Sequence, residues 1–262
     1  MNERQRLGIR DIPKAVVGKV SGEFILKGTG IELVDPNNYL AIAQEYLEKG
    51  PVVVAFSHFD DDYAVWGKFS RTLTSLDHIA ILVAMQYLDS KRGPKSKFKG
   101  TVMRSWEKGL GIEIIPIVQT YDRSNYPNAD SINVNSLRRT LKFLQEPGHV
   151  LAIAPEGTRS KNGGLSEAQE GVGAILRNTP NALILPVAAI PSPVKLFKTT
   201  TQIYVGAPLF HQELEDEYID KFGNEGGDGK KKRHDKEIAD LLMRRIAILL
   251  PEQNRGYYQI ST

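Results

Sequence analysis

Short continuous apolar runs recur along the chain, and helix-like segments separate most of them. The run Pro51–Phe56 contains no polar residue, which is typical of a strand buried on both faces of a parallel sheet. Strands are predicted at 31–34, 51–56, 78–83, 112–118, 150–154, 183–190 and 201–205. Helices are predicted at 37–47, 60–69, 101–108, 131–145, 170–177 and 235–250. This alternation indicates an α/β fold, a single three-layer domain with a mostly parallel central sheet flanked by helices.

Local signals add detail to this arrangement. Residues 22–34 are predicted to form a hairpin, and Asn37 or Asn38 is expected to cap the first helix with its side chain. The chain is interpreted as one domain, residues 1–262, that includes an N-terminal segment at 1–21. Residues 221–234 are rich in Gly and Lys and are expected to be a mobile basic surface loop.

Composition excludes several classes of function. The 262 residues include no cysteine, which excludes disulfides, thiolate metal sites and a cysteine nucleophile. Lys and Arg number 34 against 31 Asp and Glu, and the net charge of +3 is too small to indicate a nucleic acid partner. No apolar run approaches the roughly 18 residues of a membrane-spanning helix, and Met1–Lys14 lacks the apolar core of a signal peptide. We therefore expect a cytoplasmic protein, soluble or peripherally associated with a membrane.

The loops that follow the strands are the candidate site, because ligands of such sheets bind at the carboxyl ends of the strands. His58 lies two residues after the run 51–56 and precedes Asp60, Asp61 and Asp62. A carboxylate one helical turn after a histidine can fix its tautomer and stabilise its protonated form, as a general base requires. In the alternative interpretation, these carboxylates only cap the next helix and complement its dipole. A metal site is disfavoured, because no second histidine lies nearby.

A second polar segment follows the predicted strand 150–154. Gly157 permits close backbone approach, and Thr158, Arg159 and backbone N–H groups can hold a phosphate or an oxyanion. Glu156 can orient the arginine or a substrate hydroxyl. The alternative is a strand-ending turn with a surface Glu–Arg pair, which contributes little.

Two further residues are weaker signals. Arg123 follows the predicted strand 112–118 and is a candidate second phosphate ligand, although a lone loop arginine is more often only solvated. Pro186 lies inside the predicted strand 183–190 and cannot donate to a ladder, so it indicates an edge or a bulge. A purely structural role is favoured for Pro186.

Together, these segments resemble the glycerolipid acyltransferase superfamily, the 1-acyl-glycerol-3-phosphate acyltransferases and their relatives, which carry four ordered sequence blocks. Glu156-Gly157-Thr158-Arg159-Ser160 matches the third block completely, and Leu185-Pro186-Val187 matches the fourth. The stretch from Gly111 to Arg123 looks like the second block, and His58 matches the histidine of the first.

The first block departs from the family pattern. The family places an aspartate five residues after the histidine, whereas Tyr63 stands there in this chain and the nearest acid is Asp62. The resemblance gives the role of that aspartate to Asp62, with Asp61 as the alternative. Ser57 replaces the usual asparagine before the histidine.

The resemblance implies an O-acyltransferase that moves a fatty acyl group to a hydroxyl of a lysophospholipid or glycerol-phosphate acceptor. Acyl-CoA or acyl carrier protein would be the co-substrate, with no other cofactor and no metal. His58 would act as general base and Asp62 would orient it, without a covalent intermediate. The acceptor would be held through Arg123, Glu156, Gly157, Thr158 and Arg159.

A catalytically degenerate family member, acting as a lipid- or acyl-binding module, is the alternative that the shifted aspartate leaves open. Because lipid acceptors are insoluble, contact with a membrane surface is also implied. Candidate contacts are Ile12–Val20 and the basic run Lys230–Arg233, although a solvated loop explains the basic run equally.

Overall fold

The computed structural model describes residues 30–58, 63–159, 163–191, 200–223 and 231–259. Within these ranges the chain forms a seven-stranded sheet with the strand order β1-β7-β6-β2-β5-β3-β4. The strands are β1 (Gly30–Val34), β2 (Val52–Phe56), β3 (Ile79–Ala84), β4 (Glu113–Ile117), β5 (Val150–Ile153), β6 (Leu183–Pro191) and β7 (Thr200–Val205).

The sheet is mostly parallel, as predicted. Every paired strand is parallel to its neighbour except β6 and β7, which are antiparallel. The central strand β2 pairs with β5 on one side and β6 on the other, so that Val54 is level with Ala152 and Leu185. All residues of β2 are buried, because helices cover both faces of the strand. The predicted α/β class is therefore confirmed.

Helices form a layer on each face of this sheet. They are α1 (Tyr39–Tyr46), α2 (Tyr63–Leu73), α3 (Met85–Leu88), α4 (Pro94–Leu110), α5 (Ala129–Phe143), α6 (Glu170–Arg177), α7 (His211–Phe222) and α8 (Lys231–Ala247). Alternate residues of β2 separate the two layers, since successive side chains of a strand point to opposite faces. Val53 and Ala55 pack in a cluster with α6 and α8, whereas Val54 and Phe56 pack with α1 and α2. Across the described ranges, no helix combines the length and apolar character needed to cross a membrane.

The cap of α1 differs from the prediction. Asn38 has a φ of 57° and makes no side-chain capping bond. The side chain of Asp35 instead accepts the N–H groups of Tyr39 and Leu40, each at 2.8 Å. The prediction of an asparagine cap is therefore wrong. Asn38 contributes to the turn, because asparagine tolerates the left-handed conformation better than most residues.

The predicted basic loop at 221–234 is shorter in the structure. α7 continues to Phe222 and α8 already begins at Lys231, so the basic run enters a helix. His234 lies in the first turn of α8, and its Nε2 lies 3.0 Å from a carboxylate oxygen of Glu215 in α7. Residues 224–230 lie outside the described residues. So do the 1–21 segment, the candidate membrane contact Ile12–Val20 and the first arm of the predicted hairpin.

Pro186 marks a bulge inside the sheet. β6 lies between β2 and β7, so the prediction of an edge strand is wrong. Val187 pairs with Val205, but Ile184 bridges Leu209, so that residues 206–208 oppose Leu185 and Pro186. The extra residue thus lies in the segment after β7 and not in β6 itself. The Pro186 carbonyl accepts the N–H of Gly206, the residue after β7, at 2.9 Å. The proline nitrogen, which has no hydrogen to donate, therefore also faces the β7 side of the strand rather than β2.

Candidate active site

The carboxyl ends of β2 and β5 lie side by side and bring two predicted segments together. His58 follows β2, and Glu156 follows β5. The backbone N–H of His58 donates to Oε1 of Glu156 at 2.8 Å, across 98 residues of sequence. The predicted first and third segments therefore meet in one site at this edge of the sheet.

The backbone around His58 is held from two sides. The preceding residue, Ser57, is buried, and its Oγ accepts the N–H of Ala189 in β6 at 2.9 Å. Glu156 holds the N–H of His58 itself on the β5 side. The half-buried imidazole lies edge-on to the ring of Phe56, with 6.2 Å between ring centroids. These contacts fix where the histidine leaves the sheet.

Glu156 is the buried acid of the site, with only 1% of its surface exposed. Its Oε1 accepts the N–H of His58, and its Oε2 accepts the N–H of Ser166 at 2.7 Å. Burial raises the pKa of this carboxyl group to about 7, although the backbone hydrogen bonds act in the opposite direction. The sequence predicts contact with Arg159 or a substrate hydroxyl. In the structure each oxygen accepts one backbone N–H group, and the role of Glu156 toward Arg159 or a substrate hydroxyl stays a prediction.

Gly157 is required by its conformation and its surroundings. Its φ is +64°, and its N–H donates to the carbonyl of Ala154 at 3.0 Å to close the turn after β5. A Cβ atom at this position would lie 2.8 Å from Cγ of Gln169. Gly157 thus allows a close approach of Gln169, and its approach to a phosphate or oxyanion stays a prediction. The next residue, Thr158, is half-buried at the same edge.

Arg159 is oriented by an aromatic residue. A terminal nitrogen of its guanidinium donates to the hydroxyl of Tyr87 at 2.6 Å. The centre of the same guanidinium lies 5.7 Å from the centroid of the Tyr87 ring, in cation–π geometry. Tyr87 belongs to α3, which directly follows β3, the neighbour of β5. The arginine therefore stays at the carboxyl edge of the sheet.

Arg123 lies in a short turn after β4, at the same edge of the sheet. Its side chain is 50% exposed and forms an ion pair with Asp130, which is 87% exposed. The described contacts do not join Arg123 to Arg159 directly. The turn is linked to α3 through Tyr121, whose hydroxyl accepts the side-chain amide of Gln86 at 3.0 Å. The phosphate role of Arg123 stays a prediction.

The carboxylates predicted to partner His58 lie outside the described residues. The choice between Asp61 and Asp62, and the alternative capping role that includes Asp60, therefore stay predictions. Tyr63, which stands at the family's aspartate position, begins α2. Within the described part of the chain, no group of three or more His, Asp or Glu side chains is arranged to hold a metal ion.

Three residues at the site escape sequence reasoning. Ser166 acts through its backbone N–H, so its side chain gave no signal. Tyr87 and Gln119 each follow the carboxyl end of a strand, and that placement is the signal that could have found them. Gln119 lies beside Gly157, and among the described residues its buried Oε1 has no hydrogen-bond partner.

The loop that carries Ser166 is braced by the C-terminal turns at 252–258. Leu165 exchanges two backbone hydrogen bonds with these turns, at 3.1 and 2.9 Å. The N–H of Ala168 donates to the buried hydroxyl of Tyr258 at 2.8 Å. The C-terminal turns therefore help to hold the loop of Ser166, whose backbone N–H is the second hydrogen-bond donor to Glu156.

The fold and the site define an α/β protein with histidine and arginine at the carboxyl edge of a mostly parallel sheet. A scan against protein-family models finds no match, and a search of curated proteins finds none. Among solved structures, the chain is similar to the 1-acyl-sn-glycerophosphate (LPA) acyltransferase, PlsC, from Thermotoga maritima. The TM-score is 0.41 at 14% identity, over 87% of this chain and 76% of that chain.

Proposed function

We propose that the protein is an O-acyltransferase that moves a fatty acyl group from a thioester to a hydroxyl of a lysophospholipid or glycerol-phosphate acceptor. The hydrogen bond between the backbone of His58 and Glu156 carries this proposal. It joins a histidine suited to act as a base with the segment Glu156–Arg159, which is suited to bind a phosphate. A hydroxyl nucleophile needs a base, and an acidic phosphate needs a guanidinium fork.

The proposed reaction is a direct transfer. His58 removes the proton of the acceptor hydroxyl while its oxygen attacks the thioester carbonyl carbon. The new C–O bond forms, the C–S bond breaks, and the proton passes through His58 to the departing thiolate, which leaves as a free thiol. Asp62 orients the imidazole, with Asp61 as the alternative. No metal, cofactor or covalent enzyme intermediate takes part, and acyl-CoA or acyl carrier protein supplies the thioester.

The phosphate of the acceptor binds at the arginine side of the site. Arg159 is the principal ligand, because Tyr87 already fixes its guanidinium at the edge of the sheet. Thr158 and Arg123 are the further ligands. Glu156 has no contact with substrate in this proposal and instead keeps His58 and the loop at Ser166 in place. The protein works in the cytoplasm at a membrane surface, where such acceptors reside.

Thiol release tests the proposal. The parent protein is assayed with a panel of acyl-CoAs and lysophosphatidic acid, and compared with His58→Ala, Asp62→Asn and Asp61→Asn. General-base removal is expected to lower kcat by about a hundredfold or more in His58→Ala, and Asp62→Asn should follow it while Asp61→Asn is spared. His78→Ala is the matched control, because this exposed histidine precedes β3, at the opposite edge of the sheet.

Two outcomes would contradict the proposal. Full activity in His58→Ala would remove the histidine from the mechanism. Absence of thiol release by the parent with every lysophospholipid and polyol acceptor would instead favour the lipid- or acyl-binding module.

A further inference from the structure

Residues 85–111, which we call the basic segment, form one of two basic clusters, the other being the run Lys230–Arg233. The basic segment contains seven Lys or Arg and two acidic residues, whereas the rest of the chain contains 27 basic and 29 acidic residues. The basic segment comprises α3, the turn Ser90–Arg92 and α4. The remainder of the protein is thus slightly negative, and this one segment accounts for its net positive charge.

The first turn of α4 carries positively charged residues, which an isolated helix disfavours at its amino end. Its first turn contains Lys95 and Lys97 and no acidic residue. The amino end of a helix carries partial positive charge, so lysines there lower its stability by a few tenths of a kcal/mol each. This placement is therefore locally unfavourable for the helix dipole.

A large apolar residue lies between the lysines in the sequence of α4. Phe98 is 71% exposed, the most exposed large apolar residue among the described residues. Lys97 and Lys99 flank it in the sequence. Phe98, Thr101 and Lys108 follow helical spacing, and all three are exposed to solvent on one face of α4.

The basic segment begins at the site. Tyr87 in α3 holds Arg159, as described above. α4 packs closely on α3 at Gly100, where an added Cβ atom would lie 3.1 Å from the carbonyl oxygens of Tyr87 and Leu88. Phe98 therefore lies within one helical turn of Gly100, where α4 contacts α3. α3 also carries Tyr87, which holds Arg159, the candidate phosphate ligand.

We propose that α4, with Phe98 and its flanking lysines, docks the protein on an anionic phospholipid bilayer. The lysines would lie among the headgroups and Phe98 would enter the interface, as in other basic interfacial helices. This inference rests on the proposed function, because docking here would present a bilayer lipid to Arg159.

The types of basic residue in the basic segment favour a bilayer, rather than an acidic protein, as its binding partner. Five of the seven basic residues are lysines, whose compact charges suit a diffuse anionic surface, whereas paired carboxylates are better recognised by arginine forks. The two arginines already have partners within the protein. Arg92 pairs with Asp122 at 2.5 Å, and Arg104 donates to the carbonyl of Leu88 at 3.1 Å.

Vesicle binding tests the docking surface with the full chain. Co-sedimentation is measured with vesicles of phosphatidylglycerol and phosphatidylcholine and with vesicles of phosphatidylcholine alone. The triple variant K95Q/K97Q/K99Q is expected to bind the anionic vesicles about a hundredfold more weakly, since each lysine near such a surface contributes roughly fivefold. Phe98→Ser is expected to weaken binding about tenfold, and added salt should weaken binding of the parent.

Matched control variants separate the effect of where a residue lies from the effect of losing its charge or its apolar surface. K49Q/K142Q/K221Q removes the same charge from exposed lysines elsewhere, and Val134→Ser removes an exposed apolar side chain from α5. Both should bind vesicles as the parent does. Equal binding by the two triple variants, or equal binding of the parent to neutral and anionic vesicles, would overturn the proposal. So would a triple K95Q/K97Q/K99Q that keeps vesicle binding but loses binding to acyl carrier protein.

Activity on two forms of the acceptor separates this inference from the proposed function. With a short-chain lysophosphatidic acid that stays monomeric, the K95Q/K97Q/K99Q variant should release thiol at the parental rate. With acceptor embedded in anionic vesicles, its rate should fall in proportion to binding. A parent that binds vesicles through α4 but releases no thiol with either form would leave the docking surface intact and reject the acyltransferase.

Discussion

Replacing Glu156 by glutamine tests the role of the buried carboxyl group through the pH dependence of stability. Burial raises its pKa to about 7, from 4.5 for an ordinary glutamate. Between these two values the unfolded chain releases a proton that the native protein keeps, so the free energy of unfolding falls as the pH rises. Stability from this group is fully present below about pH 4.5 and has been lost above about pH 7. The loss amounts to about 3 kcal/mol, at about 1.4 kcal/mol per pH unit.

Glutamine has nearly the same shape but only one acceptor oxygen. It can therefore satisfy the N–H of His58 or that of Ser166, but not both. The N–H group left without a partner costs about 1–3 kcal/mol at every pH. Glu156→Gln should thus be less stable than the parent by that amount near pH 5. The deficit should shrink by about 3 kcal/mol towards pH 8, because only the parent must ionise a buried group.

Urea unfolding of the full chain at several values between about pH 5 and pH 8 measures both quantities. Glu252→Gln, which removes an exposed carboxyl group from a C-terminal turn, controls for the loss of one acidic residue. A difference between the parent and Glu156→Gln that stays constant over this range would refute the reasoning, since it would mean that the native carboxyl group does not retain a proton that the unfolded chain loses.

Three further substitutions probe the rest of the site. Tyr87→Phe removes the hydroxyl that holds Arg159 but keeps the ring, so steady-state kinetics should show KM for the phosphate-bearing acceptor raised about tenfold with kcat unchanged. Gly157→Ala should lower the free energy of unfolding by about 1–2 kcal/mol for its left-handed φ alone, and adding Gln169→Ala should recover the cost of the close contact but not that of φ. Tyr258→Phe removes a buried hydroxyl that bonds the site loop and should cost about 1–3 kcal/mol in urea unfolding, whereas an unchanged stability would show that the C-terminal turns do not brace the loop.

The fold was predictable because its strongest signals are local. A central parallel strand must be apolar on both faces, and β2, β5 and β6 therefore stand out as continuous apolar runs. α6 begins and ends where its apolar spacing predicts, at Glu170 and Arg177. The start of α4 was placed too late, because its first turn contains lysines and one exposed phenylalanine rather than an inward apolar stripe.

The site was only partly predictable because its decisive contacts are not local. The sequence identified His58 and Glu156 as candidates, but their hydrogen bond depends on β2 and β5 being neighbours, which no spacing reveals. The second partner of Glu156 is a backbone N–H, which carries no sequence signal. The sequence favours Asn37 or Asn38 as the cap of α1 because both are closer to the helix than Asp35. In the structure Asn38 adopts a left-handed turn conformation, and the side chain of Asp35 caps the helix.

Arg123 and Arg159 differ in the described contacts that hold their guanidinium groups. Arg123 faces Asp130, so a phosphate that binds it must first displace a carboxylate. That displacement is cheap, because both side chains are largely exposed and such pairs contribute about 1 kcal/mol or less. Arg159 is held by the hydroxyl and the ring of Tyr87, which orient its guanidinium. A preoriented guanidinium loses less entropy when it binds a phosphate, which favours Arg159 over Arg123 as the principal ligand in the proposed function. The carbonyl oxygen of Tyr87 also lies beside Gly100 of α4. The same residue therefore contacts both the proposed phosphate ligand and the helix proposed to bind the bilayer.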